Sequence, residues 1–217
     1  MKTRETVVIP PLVLRRLLAM GEGECLDYKK EVSNESKIAK TMVSFANHKG
    51  GKLLIGVNDD RTINGISAEE EKFMLEKAAG FFCRPEIPII MHEWTVGKKT
   101  VLEVDIPKGI DKPYYALGED GKWWAYIRVK DESLLASKVV LDVLKREGAG
   151  LQTLVSYTSK EKALLDYLSE HHRITLAQFC KLVNISRRRA TIILVNLISI
   201  GVIRAHNTEK TEFYTQS

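Results

Sequence analysis

The 217-residue chain is 44% hydrophobic and 28% charged, the balance of a globular protein with its own core rather than a disordered or fibrous one. Its three cysteines form no CxxC pair, which excludes a cysteine-built zinc cluster and points to a reducing compartment. The net charge is +5, and residues 151–217 hold nine Lys/Arg against five Asp/Glu, so the positive excess sits in the C-terminal third and favours a polyanionic partner.

No apolar run approaches the ~18 residues of a membrane span. The opening "MKTRETVVIPP" has too short an apolar stretch for a signal peptide. The expectation is a cytoplasmic protein with no membrane association.

A first module spans residues 1–150. Pro10 and Pro11 suit a first helical turn, continued by "LVLRRLLAM" and stopped at Gly21. "GECLDYKKE" carries Leu26 and Tyr28 at strand spacing. Asn34 or Ser36 caps the next helix, whose apolar face is Ile38, Met42, Val43 and Phe45. Gly50 and Gly51 stop it, "KLLIGV" is a short strand, and "NDDRTING" is a polar turn. Ser67 caps the acidic helix "AEEEKFMLEKAAGFF". "PIIMHEW" and "KTVLEVDIP" form a hairpin about "TVGK", "KWWAYIRV" is a further strand, and "DESLLASKVVLDVLKRE" is an amphipathic helix ended by Gly148. The order is α+β with antiparallel hairpins and no regular βαβ series.

A second module spans residues 151–217. Ser159 caps "SKEKALLDYLSEHH", Thr175 precedes "LAQFCKLV", and Ser186 caps "RRRATIILVNLIS", which Gly201 stops. "VIRAHN" and "TEFYTQ" are two strands about a polar turn. Three helices followed by a hairpin is the winged variant of helix-turn-helix. Arg187, Arg188 and Arg189 crowd the first turn of the third helix, where the helix dipole disfavours cations by ~0.3–1 kcal/mol each. Phosphate or guanine contact accounts for them better than stability does.

"NHKGGKLL" is no phosphate-binding P-loop. Leu53 stands where the metal-binding hydroxyl belongs, and the segment joins helix to strand rather than strand to helix. Glu22, Glu24 and Asp27 precede or enter one strand, and Asp59 and Asp60 follow another. Three converging carboxylates would suit magnesium or manganese. Taken by spacing alone, they are exposed loop acids and turn residues.

"GEGECLDYKKE", "KTMVSFANHKGGKLLIGVNDDRTINGI" and "WAYIRVKDES" together resemble the AlbA_2 (Schlafen AlbA-like) DNA-binding domain family over residues 12–135. Prokaryotic members commonly carry a C-terminal winged helix. The resemblance therefore implies an AlbA_2/Schlafen-like mixed α+β domain followed by a small winged-helix domain, and a DNA-binding transcriptional regulator of double-stranded DNA that needs no cofactor. One lobe per chain implies a homodimer.

The resemblance also implies candidate nucleic-acid contacts at Lys29, Lys30, Lys49, Gly50, Gly51, Lys52 and Arg128, beside Arg187, Arg188 and Arg189, with an internal salt bridge to a neighbouring acid as the alternative for Lys29. Trp123 and Trp124 alternate across their strand, so one belongs to the core and the other is free to stack on bases or to meet a second subunit. Some Schlafen proteins cleave tRNA with three acids. By position these are Glu22, Asp27 and one of Asn58, Asp59 or Asp60, and Glu22, Asp27 and Asp59 would be both the catalytic set and the ligands of Mg or Mn in a metal-dependent ribonuclease. Asp27 stands where the family has Glu. A protein-interaction module is the third reading.

Overall fold

The computed structural model describes residues 10–150, 157–208 and 210–217. The chain packs as two units, Met1–Gly109 with Tyr114–Ser133, and Ile110–Pro113 with Leu134–Ser217.

The first unit begins with α1 (Leu12–Met20), β1 (Leu26–Lys29), α2 (Glu35–Asn47) and β2 (Gly51–Ile55). Helix α3 (Ala68–Phe81), β3 (Cys83–Arg84), β4 (Ile90–Val96) and β5 (Lys99–Ile106) follow. Strands β6 (Tyr115–Leu117), β7 (Trp123–Trp124) and β8 (Tyr126–Val129) complete it, and β9 (Glu132–Leu135) pairs with β8. The main sheet has the order β1-β2-β5-β4. β1 runs parallel to β2, and the other pairs are antiparallel. The sequence order predicts no regular βαβ series, and β1–α2–β2 is a single such unit. Its crossover helix is long enough to return the chain to the same edge.

The period-two alternation of strands divides the core. Leu53, Val104 and Leu102 pack with Met42 and Phe45 of α2 and Leu75 of α3. Tyr28, Leu54 and Val101 pack on the opposite face against Leu14 and Leu17 of α1. Helix α2 starts where Asn34 accepts the Lys37 N–H at 3.1 Å. Ile38, Met42 and Phe45 then recur at helical spacing on the buried side.

"KWWAYIRV" is broken into two strands. β7 pairs with β6, whereas β8 pairs with β9. "DESLLASKVV" holds strand β9 first, and helix α4 (Lys138–Gly148) begins only at Ser137, whose hydroxyl accepts the Val140 N–H.

The second unit contains α4, α5 (Ser159–His171), α6 (Leu176–Leu182), α7 (Arg187–Ser199), β10 (Ile203–Asn207) and β11 (Glu212–Gln216). Val139 and Val143 of α4 share one core with Leu164, Leu168, Phe179, Leu194 and Tyr214. Compact packing thus divides the chain near Ser133, earlier than residue 150, because the apolar face of α4 is buried in the second unit. The cap of α5 is Thr158 rather than Ser159, since only from residue 158 does Glu161 fall at the third helical position and complete a capping box. Thr175 and Gln178 form the same device on α6. β10 and β11 pair antiparallel, and Ile174 bridges to Tyr214 beside them. Among the described residues, no helix is long and apolar enough to cross a membrane.

Candidate nucleic-acid interface

The glycine pair is a corner, and the Gly50 backbone donor faces inward. Gly50 is buried at φ +79°, and its N–H is donated to the Phe45 carbonyl at 2.9 Å, closing α2. A Cβ on Gly50 would lie 2.7 Å from Lys108 N and 2.8 Å from Ile106 O, and one on Gly51 would lie 2.6 Å from the Phe45 ring. The expectation that Gly50 offers its N–H to phosphate is corrected by its bond to the Phe45 carbonyl. The two residues let the end of α2 pass close to β5. Gly50→Ala is therefore expected to lower stability by more than ~2 kcal/mol, combining left-handed strain with a backbone clash. Chemical denaturation of the variant checks this.

Two of the three predicted acids come together. Asp27 is buried on β1, with Oδ1 2.8 Å from Arg128 Nη2 and Oδ2 against Lys29 Nζ. Arg128, 2% exposed along its side chain, also donates to the Gly23 carbonyl at 3.0 Å and stacks 4.8 Å above Phe45. Glu22 accepts the Tyr28 N–H at 2.9 Å. Partial desolvation raises its carboxyl above the usual range. The Tyr28 N–H opposes that rise, and the neighbouring Asp27 charge adds to it.

Asp59 is exposed at a turn. Asp60 is engaged there, accepting Thr62 N–H at 2.9 Å and the Thr62 hydroxyl at 2.5 Å. Among the described residues no group of three or more His, Cys, Asp or Glu side chains is placed to hold a metal ion. The proposed set of Glu22, Asp27 and Asp59 is thus not assembled. Asp27 cannot ligate a cation without first releasing two of its own.

A raised carboxyl contributes stability at low pH and loses it as pH climbs through the folded value. Glu22→Gln keeps an oxygen for Tyr28 but removes the charge. The variant is expected to be more stable than the parent at neutral pH and indistinguishable below the ordinary glutamate value near ~4.3. Melting temperatures across pH 3–8 report this crossover.

The cations predicted for the first unit are mostly engaged. Lys29 bonds Asp27 and the Tyr28 carbonyl. Lys52 lies 2.7 Å from Glu103 and 2.5 Å from Asp105. Partial burial pulls its ammonium down, but those two carboxylates outweigh it and raise the group above its ordinary value. The local charge is negative, which repels phosphate. Lys52 and Arg128 are therefore corrected from phosphate contacts to internal ion pairs, and Lys29 takes the alternative of a salt bridge to a neighbouring acid. Lys49 pairs with Glu24 at 2.8 Å, both residues being exposed, so the pair is screened by solvent and easily exchanged. Lys30 is exposed and forms no ion pair among the described residues.

The three arginines of α7 stand differently. Arg187, Arg188 and Arg189 are all exposed, and none is ion-paired with a described residue. Ser186 begins the helix by accepting the Arg189 N–H, and no acid occupies its first turn. Arg187 is near enough to Tyr214 to act on its phenol. Arg173, which sequence reasoning passed over, lies 5.9 Å above the adjacent Phe213 ring. Lys181, also passed over, is exposed in the last turn of α6, just before the tight link into α7. Their signal was only the general basic excess of this third of the chain.

The first unit coincides with a known family. The family model described as Schlafen, AlbA_2 matches residues 22–137. No curated protein matches the chain. Among solved structures, the DIP2311 protein from Corynebacterium diphtheriae is similar with TM-score 0.48 and 17% identity, over 67% of this chain and 33% of that one. The chain thus spans about a third of that protein's length. The N-terminal domain of a RecG-related protein from Nitrosomonas europaea is similar with TM-score 0.39 and 25% identity, over 58% of this chain and 93% of that one. With more than half of its residues inside the family match, the chain belongs to the Schlafen, AlbA_2 family.

Proposed function

We propose that this protein binds nucleic acid, and that it is a DNA-binding transcriptional regulator whose second unit, a winged helix-turn-helix, presents the first turn of α7 to duplex DNA. The observation that carries the reading is the trio Arg187–Arg189, exposed, ion-paired with no described residue and placed where the helix dipole opposes it. Cations so placed cost helix stability, and an external polyanion offsets that cost. Membership of the AlbA_2 family and the order of three helices and a hairpin support it.

Lys30 and the exchangeable Lys49 add sequence-independent contacts from the first unit. Two copies would present two such helices, so the protein acts as a homodimer on a palindromic site. Free cysteines at 25, 83 and 180 support a cytoplasmic setting.

The test is a titration of the full chain against labelled duplex DNA, hairpin RNA and single strands in EDTA and in manganese, followed by anisotropy and denaturing gels. Salt-dependent duplex binding that leaves the DNA intact supports the regulator. Metal-dependent cleavage lost in Glu22→Ala would replace it with a nuclease.

A further inference from the structure

The first unit holds a cleft that the α7 reading does not use. It lies between the first two turns of α2 and the loop joining β6 to β7, has a volume of about 320 Å³, and is lined by Lys37, Lys40, Trp124 and Tyr126 among others. Sites for small ligands begin at roughly 300 Å³, which suits one nucleotide unit and excludes a duplex. We propose that this cleft binds a nucleoside phosphate unit, the base lying on Trp124 and the phosphate on Lys37 and Lys40.

Trp124 is fixed in advance. Its indole Nε1 donates to both Asp120 oxygens at 3.2 Å. Asp120 in turn accepts the Lys122 N–H at 3.1 Å, and Gly118 N–H closes the loop on the Lys122 carbonyl at 2.8 Å. A ring held by its edge keeps its face in one orientation, so stacking costs little ordering.

The two lysines are cations of this region without a carboxylate partner among the described residues. Lys29, Lys49, Lys52, Lys72 and Lys77 of the same unit each meet a carboxylate. Lys37 and Lys40 meet none among the described residues, and the Lys40 ammonium lies 5.1 Å from the centre of the Tyr126 ring. Two ammonium groups without a described carboxylate partner, beside a locked indole, select a planar anion.

The rim also limits the ligand's charge. Glu119 and Asp120 line the same cleft, so Lys37 and Lys40 face two carboxylates and the rim is near neutral. A triphosphate gains little there, whereas one phosphate monoester or diester is matched. The unit therefore comes from a mononucleotide or from a single strand.

The proposal rests on different residues from the α7 reading, and each can fail alone. The test uses the full chain with labelled dT8, with AMP, ATP and polyglutamate as competitors. The variants are Trp124→Ala, Trp124→Phe, and Lys37→Gln with Lys40→Gln, each checked by melting.

dT8 is expected to bind. Trp124→Ala should weaken it by roughly ten- to hundredfold and the double lysine variant at least tenfold, while Trp124→Phe stays within about threefold. Duplex binding through α7 should not change. AMP competing better than ATP supports the charge match. If AMP alone binds and dT8 does not, the source is a free nucleotide. Unchanged dT8 binding in the tryptophan and lysine variants, no binding by either probe, or competition by polyglutamate equal to that by dT8 overturns the proposal.

Discussion

Asp27→Ala is expected to destabilise the protein by about 3–5 kcal/mol, the cost of leaving a buried charge without its counter-ion. Arg128 would keep the Gly23 carbonyl and the Phe45 ring, but neither carries a full negative charge. Its side chain is 2% exposed, so water does not replace the lost carboxylate. Arg128→Ala should cost less, because Lys29 remains beside Asp27 and is itself 39% exposed along its side chain. Replacing both members with apolar residues, Asp27→Leu with Arg128→Met, should recover much of the loss, since a buried pair seldom outperforms good apolar packing. Urea denaturation of the four proteins separates these outcomes. A near-zero effect of Asp27→Ala would mean that the carboxylate is free for chemistry, and would reopen the nuclease reading.

The triple variant Arg187→Ala, Arg188→Ala, Arg189→Ala is expected to move two quantities in opposite directions. Duplex affinity should fall at least about a hundredfold, because even one good arginine contact to a base is worth ~1–3 kcal/mol. Folding stability should hold or rise, because three cations leave the positive end of a helix, each worth ~0.3–1 kcal/mol. A structural role for the arginines predicts the reverse, with a lower melting temperature and unchanged binding. Anisotropy and thermal melting on one preparation give both readings.

Local signals were legible in the sequence. Asn34 as a cap, the Ile38, Met42 and Phe45 face, the hairpin about Gly97 and the start of α7 at Ser186 depend on residues a few positions apart, and all are present. The glycine corner was legible for the same reason. Partners far along the chain were not. Arg128 read as a surface cation because strand alternation names two faces without saying what covers them, and its carboxylate lies 101 residues away. Lys52 meets Glu103 and Asp105 only because β2 pairs with β5. "KWWAYIRV" alternates without a break in sequence, yet β7 and β8 find different partner strands, which no local pattern encodes. The α7 arginines were found from sequence because their oddity is local: a charge at the wrong end of its own helix.

Duplex DNA binding by the parent chain and the α7 triple variant, across a salt series from 50 to 300 mM, separates α7 from every other contact surface. Log affinity of the parent is expected to fall linearly with log salt, and the variant to bind more weakly with a slope smaller by about two to three. Equal affinity and equal slope for the two proteins would contradict it, and would move any nucleic-acid contact away from α7.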